Sequence, residues 1–249
     1  MELKVNKNLQ EAYSNQYNDE SAIWRGIGAE KKVENILKII DSQHFKSVLE
    51  VGAGDGSVLE LLSKTNIADE LHALEISESG IQQIKSKEIK NLKTVKLFDG
   101  YVLPFEDQSI DLLILTHVLE HVEHERILLR EIHRVAKQFV IEVPKDYRFG
   151  ADKKVAHFLS YGHINLYTPT SLKFLLLTEN FKIIKEQTSL YHLKSFTFGK
   201  RNLSGMVISY LSFLVKSLLA NFPIKYVREK FINTITILAK PENKEIKIF

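Results

Sequence analysis

Ser47-Val48-Leu49-Glu50-Val51-Gly52-Ala53-Gly54-Asp55-Gly56-Ser57 is the stretch whose reading decides the fold. Val48, Leu49 and Val51 make a short apolar run of strand formers. Three glycines in the next five residues let the backbone turn sharply and approach a ligand with no Cβ in the way. Helical spacing resumes in Ser57-Val58-Leu59-Glu60-Leu61-Leu62. A strand that feeds a glycine loop and then a helix N-terminus is a nucleotide-binding corner of an open α/β sheet.

Upstream, residues 1–20 are polar, with Tyr13 and Tyr17 set to form a short helix or a flap. Val33, Ile36, Leu37 and Ile40 then mark an amphipathic helix over about 24–40. Downstream, strand and helix alternate. Strands are expected at about 71–76, 94–98, 110–115 and 139–143, and helices at about 57–65, 78–89 and 123–136. Residues 145–166 are irregular, as a loop over a ligand site would be. Thr168-Pro169 restarts a helix, with threonine as N-cap and proline at its first position, to about Glu179, where Asn180 is a plausible C-cap. Strand six is expected at 181–188 and strand seven at 231–240. The alternation predicts a Rossmann-like, doubly wound, helix-covered and mostly parallel α/β sheet.

The 249 residues carry 44% hydrophobic and 26% charged residues and a net charge of +3, so a globular domain with an elaboration is expected. With no cysteine, disulfides, thiolate metal sites and cysteine nucleophiles are excluded. The polar first 18 residues have no apolar h-region, so a cytoplasmic setting is expected. Residues 1–44 are expected to be a helical cap or lid, 45–190 the ligand-binding core, 191–230 a helical insert, and 231–249 the final strand and a tail. Within the insert, residues 203–222 have a single charge, Lys216, among large apolar side chains. Gly205, Ser209, Ser212 and Lys216 give it one small and polar stripe. A bilayer span is disfavoured, because the chain must still add a strand to the sheet. A lid, a homodimer contact or a peripheral membrane-surface helix fits better.

Three strand tips carry candidate ligand contacts. Glu75 lies 23 positions after Gly52, where a carboxylate can accept from both hydroxyls of an adenosine ribose. Ile76 follows it. Asp99-Gly100 ends the third strand and offers an acceptor for an adenine amino group. The loop is Gly-x-Gly-x-Gly rather than Gly-x-Gly-x-x-Gly, and it carries Glu50 and Asp55. Two carboxylates repel a pyrophosphate and suit a sulfonium or an ammonium. That counts against a nicotinamide dinucleotide and for S-adenosylmethionine (SAM).

These residues resemble the class I SAM-dependent methyltransferases of the small-molecule type (type 11 or type 23-like). The match comprises residues 48–56, Glu75, Asp99 with Leu103-Pro104-Phe105, and the string from Ser109-Ile110-Asp111-Leu112-Leu113 to His117-Val118-Leu119-Glu120-His121-Val122, covering about residues 45–145. The resemblance implies a seven-stranded sheet with an antiparallel last strand. It also implies SAM as cofactor, with Glu50, Gly52, Ala53, Gly54, Asp55 and Gly56 around the methionine moiety. Glu75 and Ile76 would sit at the ribose, Asp99 and Gly100 at the adenine, and Thr116 and His117 at the methionine end.

Methyl transfer to a hydroxyl needs a base, and histidine suits that at neutral pH. His121 and His163 are the candidates. His163 precedes an aromatic-Thr-Pro helix start that, in related methyltransferases, lies near the acceptor. His124 and His133 are expected to cap or pack. Glu120-His121-x-x-His124 offers metal-ligand atoms, but no further ligand is evident and no metal is expected. Tyr13, Tyr17, Trp24, Tyr161 and Tyr167 are candidate acceptor contacts. The expected function is methylation of a small molecule such as a sugar, a glycolipid precursor or a quinone-like ring, with O-methylation favoured. A non-catalytic SAM-binding protein and an NAD(P)-dependent oxidoreductase are the alternatives. A nucleic-acid substrate is disfavoured, since there is no Asn/Asp-Pro-Pro-aromatic tetrad and no long basic tract.

Overall fold

The computed structural model of the chain describes residues 19–147, 150–200 and 202–243. Tyr13 and Tyr17 lie outside them. Seven strands form one sheet in the order β3-β2-β1-β4-β5-β7-β6. They are β1 (Phe45–Val51), β2 (Ala68–Glu75), β3 (Leu92–Leu97), β4 (Leu112–Thr116), β5 (Phe139–Pro144), β6 (Phe181–Ser189) and β7 (Thr234–Pro241). β1 lies between β2 and β4 and is parallel to both. β7 runs antiparallel to both β5 and β6. The expected Rossmann-like architecture, with its antiparallel last strand, is therefore present.

Helices cover both faces. α1 (Asp19–Ile39), α2 (Ser57–Ser63) and α3 (Glu78–Ser86) close one face over Ile36, Leu59, Leu62, Ile84, Val48 and Ile114. α4 (Glu125–Val135) and α6 (Pro169–Thr178) close the other. There Leu128, Ile132, Leu172 and Leu176 pack with Phe139 and Phe181. β4 and β5 are buried along their whole length, which is why they read as unbroken apolar runs. Thr168 and Ser171 form a capping box at the start of α6, with proline at its first position. Its C-cap is Glu179, and Asn180 follows at φ +62° in the left-handed region that ends helices.

Several boundaries differ from the sequence expectations. β3 ends at Leu97, two residues before Asp99, whose carboxylate instead accepts from Tyr101 N (2.8 Å) and Val102 N (2.7 Å). Residues 145–166 are not wholly irregular. A 3-10 turn (Ala151–Lys154) leads into α5 (Val155–Leu159) between Gly150 and Gly162, both at positive φ. A helix of five residues is too short to leave an apolar period in the sequence. β7 starts at Thr234 rather than Phe231, because Lys225–Phe231 is helical. The insert holds three helices, α7 (Leu193–Thr197), α8 (Leu203–Ala220) and α9 (Lys225–Phe231).

Candidate active site

The glycine loop crosses the carboxyl edge of the sheet at the point where strand order reverses, between β1 and β4. Gly52, Gly54 and Gly56 have φ of +70°, +58° and +76°. A Cβ on Gly52 would stand 2.5 Å from Val118 Cγ2. Gly52 N and Ala53 N both donate to Leu74 O, which pins the turn to β2. Gly54 N donates to Glu75 Oε2 (2.9 Å), and Glu75 Oε1 accepts from the Ser77 amide and hydroxyl. Glu75 thus sits at the expected strand tip with its carboxylate turned inward, bracing the loop. Burial raises its pKa against the pull of these donors.

The two loop carboxylates are not equivalent. Asp55 accepts from Arg25 Nε at 2.8 Å and from Ser57 N at 3.1 Å. Burial acts to raise its pKa, but the Arg25 and Ser57 hydrogen bonds outweigh it and the net shift is downward. Its charge is matched by Arg25. Glu50 is buried, and its Oε2 has no hydrogen-bond partner. Burial first, then the nearby Asp55 and Glu75, push its carboxyl up to about 8. Sequence reading treats both carboxylates as available to a cation; the geometry leaves that role to Glu50.

Beyond β4 the chain turns at His117, which adopts φ +55°, a region costly for a residue with a side chain. Its Nδ1 is 3.6 Å from Glu120 Oε1 and its Nε2 3.4 Å from Glu142 Oε1. Both glutamates are 1% exposed. Glu142 on β5 is held by Asn35 Nδ2 and Thr236 Oγ1, both at 2.7 Å. His121 follows on a 3-10 turn and donates Nδ1–H to Gly162 O at 3.0 Å. Burial, the largest influence, lowers its pKa. His163 stands edge-on to His121, ring centroids 4.8 Å apart. Its Nδ1 lies 2.7 Å from Asp146 Oδ2. Burial opposes protonation there, but the Asp146 bond, with Glu120 nearby, raises the pKa overall.

These groups face one another across a cavity of about 500 Å³. Its wall includes Glu50, Gly52, Ala53, Gly54 and Asp55 on one side and Thr116, His117, His121 and His163 on the other. Trp24 and Tyr161 join the wall, and Trp24 leans on Phe198 of the insert at 5.3 Å. Gly56, Glu75, Ile76, Asp99 and Gly100 are not part of it. They sit at or beyond the strand tips, with Ile76 packed on the core. Tyr167 is a correction. It is 6% exposed within the core and its hydroxyl points at Leu119 O, so it cannot touch an acceptor. A second cavity, about 950 Å³, lies under the 150–166 segment and α9. Its wall includes Phe158, Leu159, Ile164 and Tyr226, with Lys145 and Lys230. His163 lines both cavities.

Arg25, Glu142 and Asp146 are contributors that sequence reading missed. Asp146 had a signal, an acid just past the tip of β5. Arg25 and Glu142 had none, since their partners lie 30 or more residues away. His124 does not join His121: it stands at the N-cap position of α4 without a side-chain cap bond, and its ring lies 5.9 Å from Tyr101. His133 packs on Phe181.

The methyltransferase domain family matches residues 24–186. YrhH of Bacillus subtilis, named as a methyltransferase, is 30% identical over 108 residues, 42% of this chain and 60% of its own length. The demethylmenaquinone methyltransferase of Geobacillus kaustophilus is 28% identical over 109 residues, 42% of this chain and 46% of its own. The match thus spans less than two thirds of either relative. Among solved structures, a chain from the complex of the Haloferax volcanii Trm112 methyltransferase activator with a methyltransferase superposes with TM-score 0.62 at 15% identity. That superposition covers 92% of this chain and 99% of the other. At that identity the likeness speaks for the fold. The glycine loop, the acid at the tip of β2 and the match over most of the chain lead to one conclusion: this chain belongs to the methyltransferase domain family, whose methyl donor is S-adenosylmethionine.

Proposed function

We propose that the protein transfers a methyl group from SAM to a hydroxyl of an amphipathic small molecule. The observation that carries this reading is the position of His163. It borders both the cavity under the glycine loop and the larger, mostly apolar cavity beside it. The donor's methionine end would occupy the first, with its ammonium at Glu50, whose carboxyl gives up its proton as the cation binds. The acceptor's apolar part occupies the second, and its hydroxyl enters the first beside His163. The hydroxyl oxygen then attacks the methyl carbon in line with sulfur. The C–S bond breaks, and S-adenosylhomocysteine leaves as a neutral thioether. Holding the three atoms in line is the main service required, and positioning of this kind supplies about 7–11 kcal/mol in favourable cases. The hydroxyl must shed its proton as it takes the methyl group, and the His121–His163 pair stands beside it.

The insert favours an acceptor drawn from an anionic lipid surface. α8 is turned inside out. Ser209 is its one buried residue, whereas Leu203, Ile208 and Leu218 are 78%, 66% and 73% exposed. Residues 191–230 carry seven basic side chains against Glu229 alone, a net +6, so the rest of this +3 chain is −3. Two copies meeting through this face would bring like charges together; an anionic bilayer would not. α8 is long and apolar enough to cross a membrane, with a mean hydropathy of 1.6. Yet the chain enters it from β6 and leaves it into β7, which pair with each other. A single crossing would put those strands on opposite sides, so the helix lies in the surface plane.

The test is incubation with methyl-labelled SAM and cell extract separated into polar, lipid and polymer pools. Label is expected in the lipid pool. Label in the polar pool alone would overturn the lipid assignment, and SAM binding with no transfer to any pool would leave a non-catalytic SAM-binding protein.

A further inference from the structure

Glu120 is the least compensated acid among the described residues. Both of its carboxylate oxygens are buried and neither has a hydrogen-bond partner. A buried, unpaired carboxylate costs several kcal/mol, so a group in this state points to something that binds it. Its neighbours stand too far away for hydrogen bonds, with His117 Nδ1 at 3.6 Å and His121 Nε2 at 3.9 Å. One ligand-capable atom each from Glu120, His121 and His163 lies within 4.8 Å of the others.

The rings are oriented from behind. The Gly162 carbonyl can only accept, so His121 Nδ1 carries the hydrogen and Nε2 is the nitrogen turned to Glu120. The Asp146 carboxylate takes Nδ1–H of His163 in the same way and leaves Nε2 as the coordinating nitrogen. A carbonyl or carboxylate behind an imidazole is the arrangement that fixes metal-binding histidines. Donors about 2.0–2.2 Å from one tetrahedral ion lie about 3.3–3.6 Å apart. Closing the widest pair of the group therefore takes a contraction of about 1.2–1.5 Å, within the reach of side-chain rotation.

We propose that Glu120, His121 and His163 bind one divalent transition-metal ion of the Zn²⁺, Mn²⁺ or Co²⁺ class, with Asp146 and the Gly162 carbonyl as orienting groups. Two imidazoles and a carboxylate suit such ions better than Mg²⁺ or Ca²⁺, which prefer all-oxygen sites. His121 and His163 border the donor cavity, so the ion's remaining positions open towards the acceptor. In the reaction, and here the inference rests on the methyl-transfer reading, the acceptor hydroxyl binds the ion and loses its proton to bulk water. The oxygen then takes the methyl carbon as the C–S bond breaks. The two histidines act as ligands rather than as general bases.

The full-length protein, stripped with a chelator and dialysed, is titrated with Co²⁺ followed by its visible absorption and with Zn²⁺ by calorimetry. One equivalent is expected to bind. Glu120→Gln and His163→Ala should each remove the stoichiometric site, and Asp146→Asn should weaken it about 10–100-fold with the stoichiometry kept. Circular dichroism serves as the folding control. No stoichiometric binding by the native chain, or undiminished binding in folded Glu120→Gln and His163→Ala, would overturn the site. Label transfer that persists in chelator overturns the ion's role and leaves the methyltransferase reading standing. Stoichiometric binding with no transfer to any acceptor pool does the reverse.

Discussion

Gly52 and Glu50 show how single residues set the donor site. An alanine at Gly52 meets two separate obstacles. At φ +70° a side chain costs about 1–2 kcal/mol, and the new Cβ would press on Val118 Cγ2 at 2.5 Å. We expect Gly52→Ala to weaken SAM binding at least about tenfold, equivalent to 1.4 kcal/mol, by calorimetry. Adding Val118→Ala should restore only the steric share; full restoration would show that the left-handed backbone does not matter. Glu50 sets a pH dependence. Its carboxyl, raised to about 8, holds a proton in the folded chain that the unfolded chain releases near 4.5. Stability therefore falls as pH rises from about 4.5 to 8. Glu50→Gln removes that loss, so its Tm should exceed the native Tm at pH 8 by about 2–4 °C for each kcal/mol regained, and the two should converge at pH 4. A constant difference across that range would assign the effect to packing. The glycines and Glu75 are legible in the sequence because their role is local, a turn and a strand tip. The inequality of Glu50 and Asp55 is not, since it depends on Arg25 reaching across from α1.

At the scale of elements, legibility follows length and burial. α4 declares itself through a stripe in which Leu128, Leu129, Ile132 and Val135 are all buried. α5 and α7, five residues each, leave no period to read. Tyr167 is not legible from the sequence, because the same tyrosine can face the pocket or the core, and its burial against Leu119 O is set by the fold. α8 is legible as an apolar helix with a polar stripe, but its orientation is not. Part of the stripe faces inward: Ser209 is buried and Lys216 sits over the Phe196 ring at 5.0 Å, while Ser212 is exposed. We expect the native chain to float with phosphatidylserine-containing vesicles and not with neutral ones. Lys225→Glu with Arg228→Glu should reduce flotation several-fold and restore none of it at low salt, because each basic side chain near such a surface is worth about 1 kcal/mol. Equal flotation with neutral vesicles would make the apolar face alone responsible. A concentration-dependent dimer that excludes vesicles would replace the bilayer with a second copy.

At the scale of the molecule, the parallel half of the sheet is legible because each strand–helix pair repeats the same apolar and turn signals. Strand order on the other side is not, because nothing local tells β7 to insert between β5 and β6. Asn35 secures that side. Its side-chain nitrogen donates to Glu142 on β5 and to Ser189 on β6, its backbone carbonyl accepts from Gln187, and Glu142 in turn accepts from Thr236 on β7. Asn35→Ala leaves the buried Glu142 short of a donor. It should cost about 1–3 kcal/mol, lowering Tm by about 2–4 °C per kcal/mol in thermal unfolding. An unchanged Tm would mean that the network is not what holds α1 to the sheet.

The position of β7 also imposes an order of events. β6 joins the sheet through β7 alone. During synthesis α8 therefore leaves the ribosome while β6 is still without a neighbour, and at about 5–20 residues per second that interval lasts on the order of seconds. The nascent chain meets its surroundings with its most apolar helix exposed before the sheet can close.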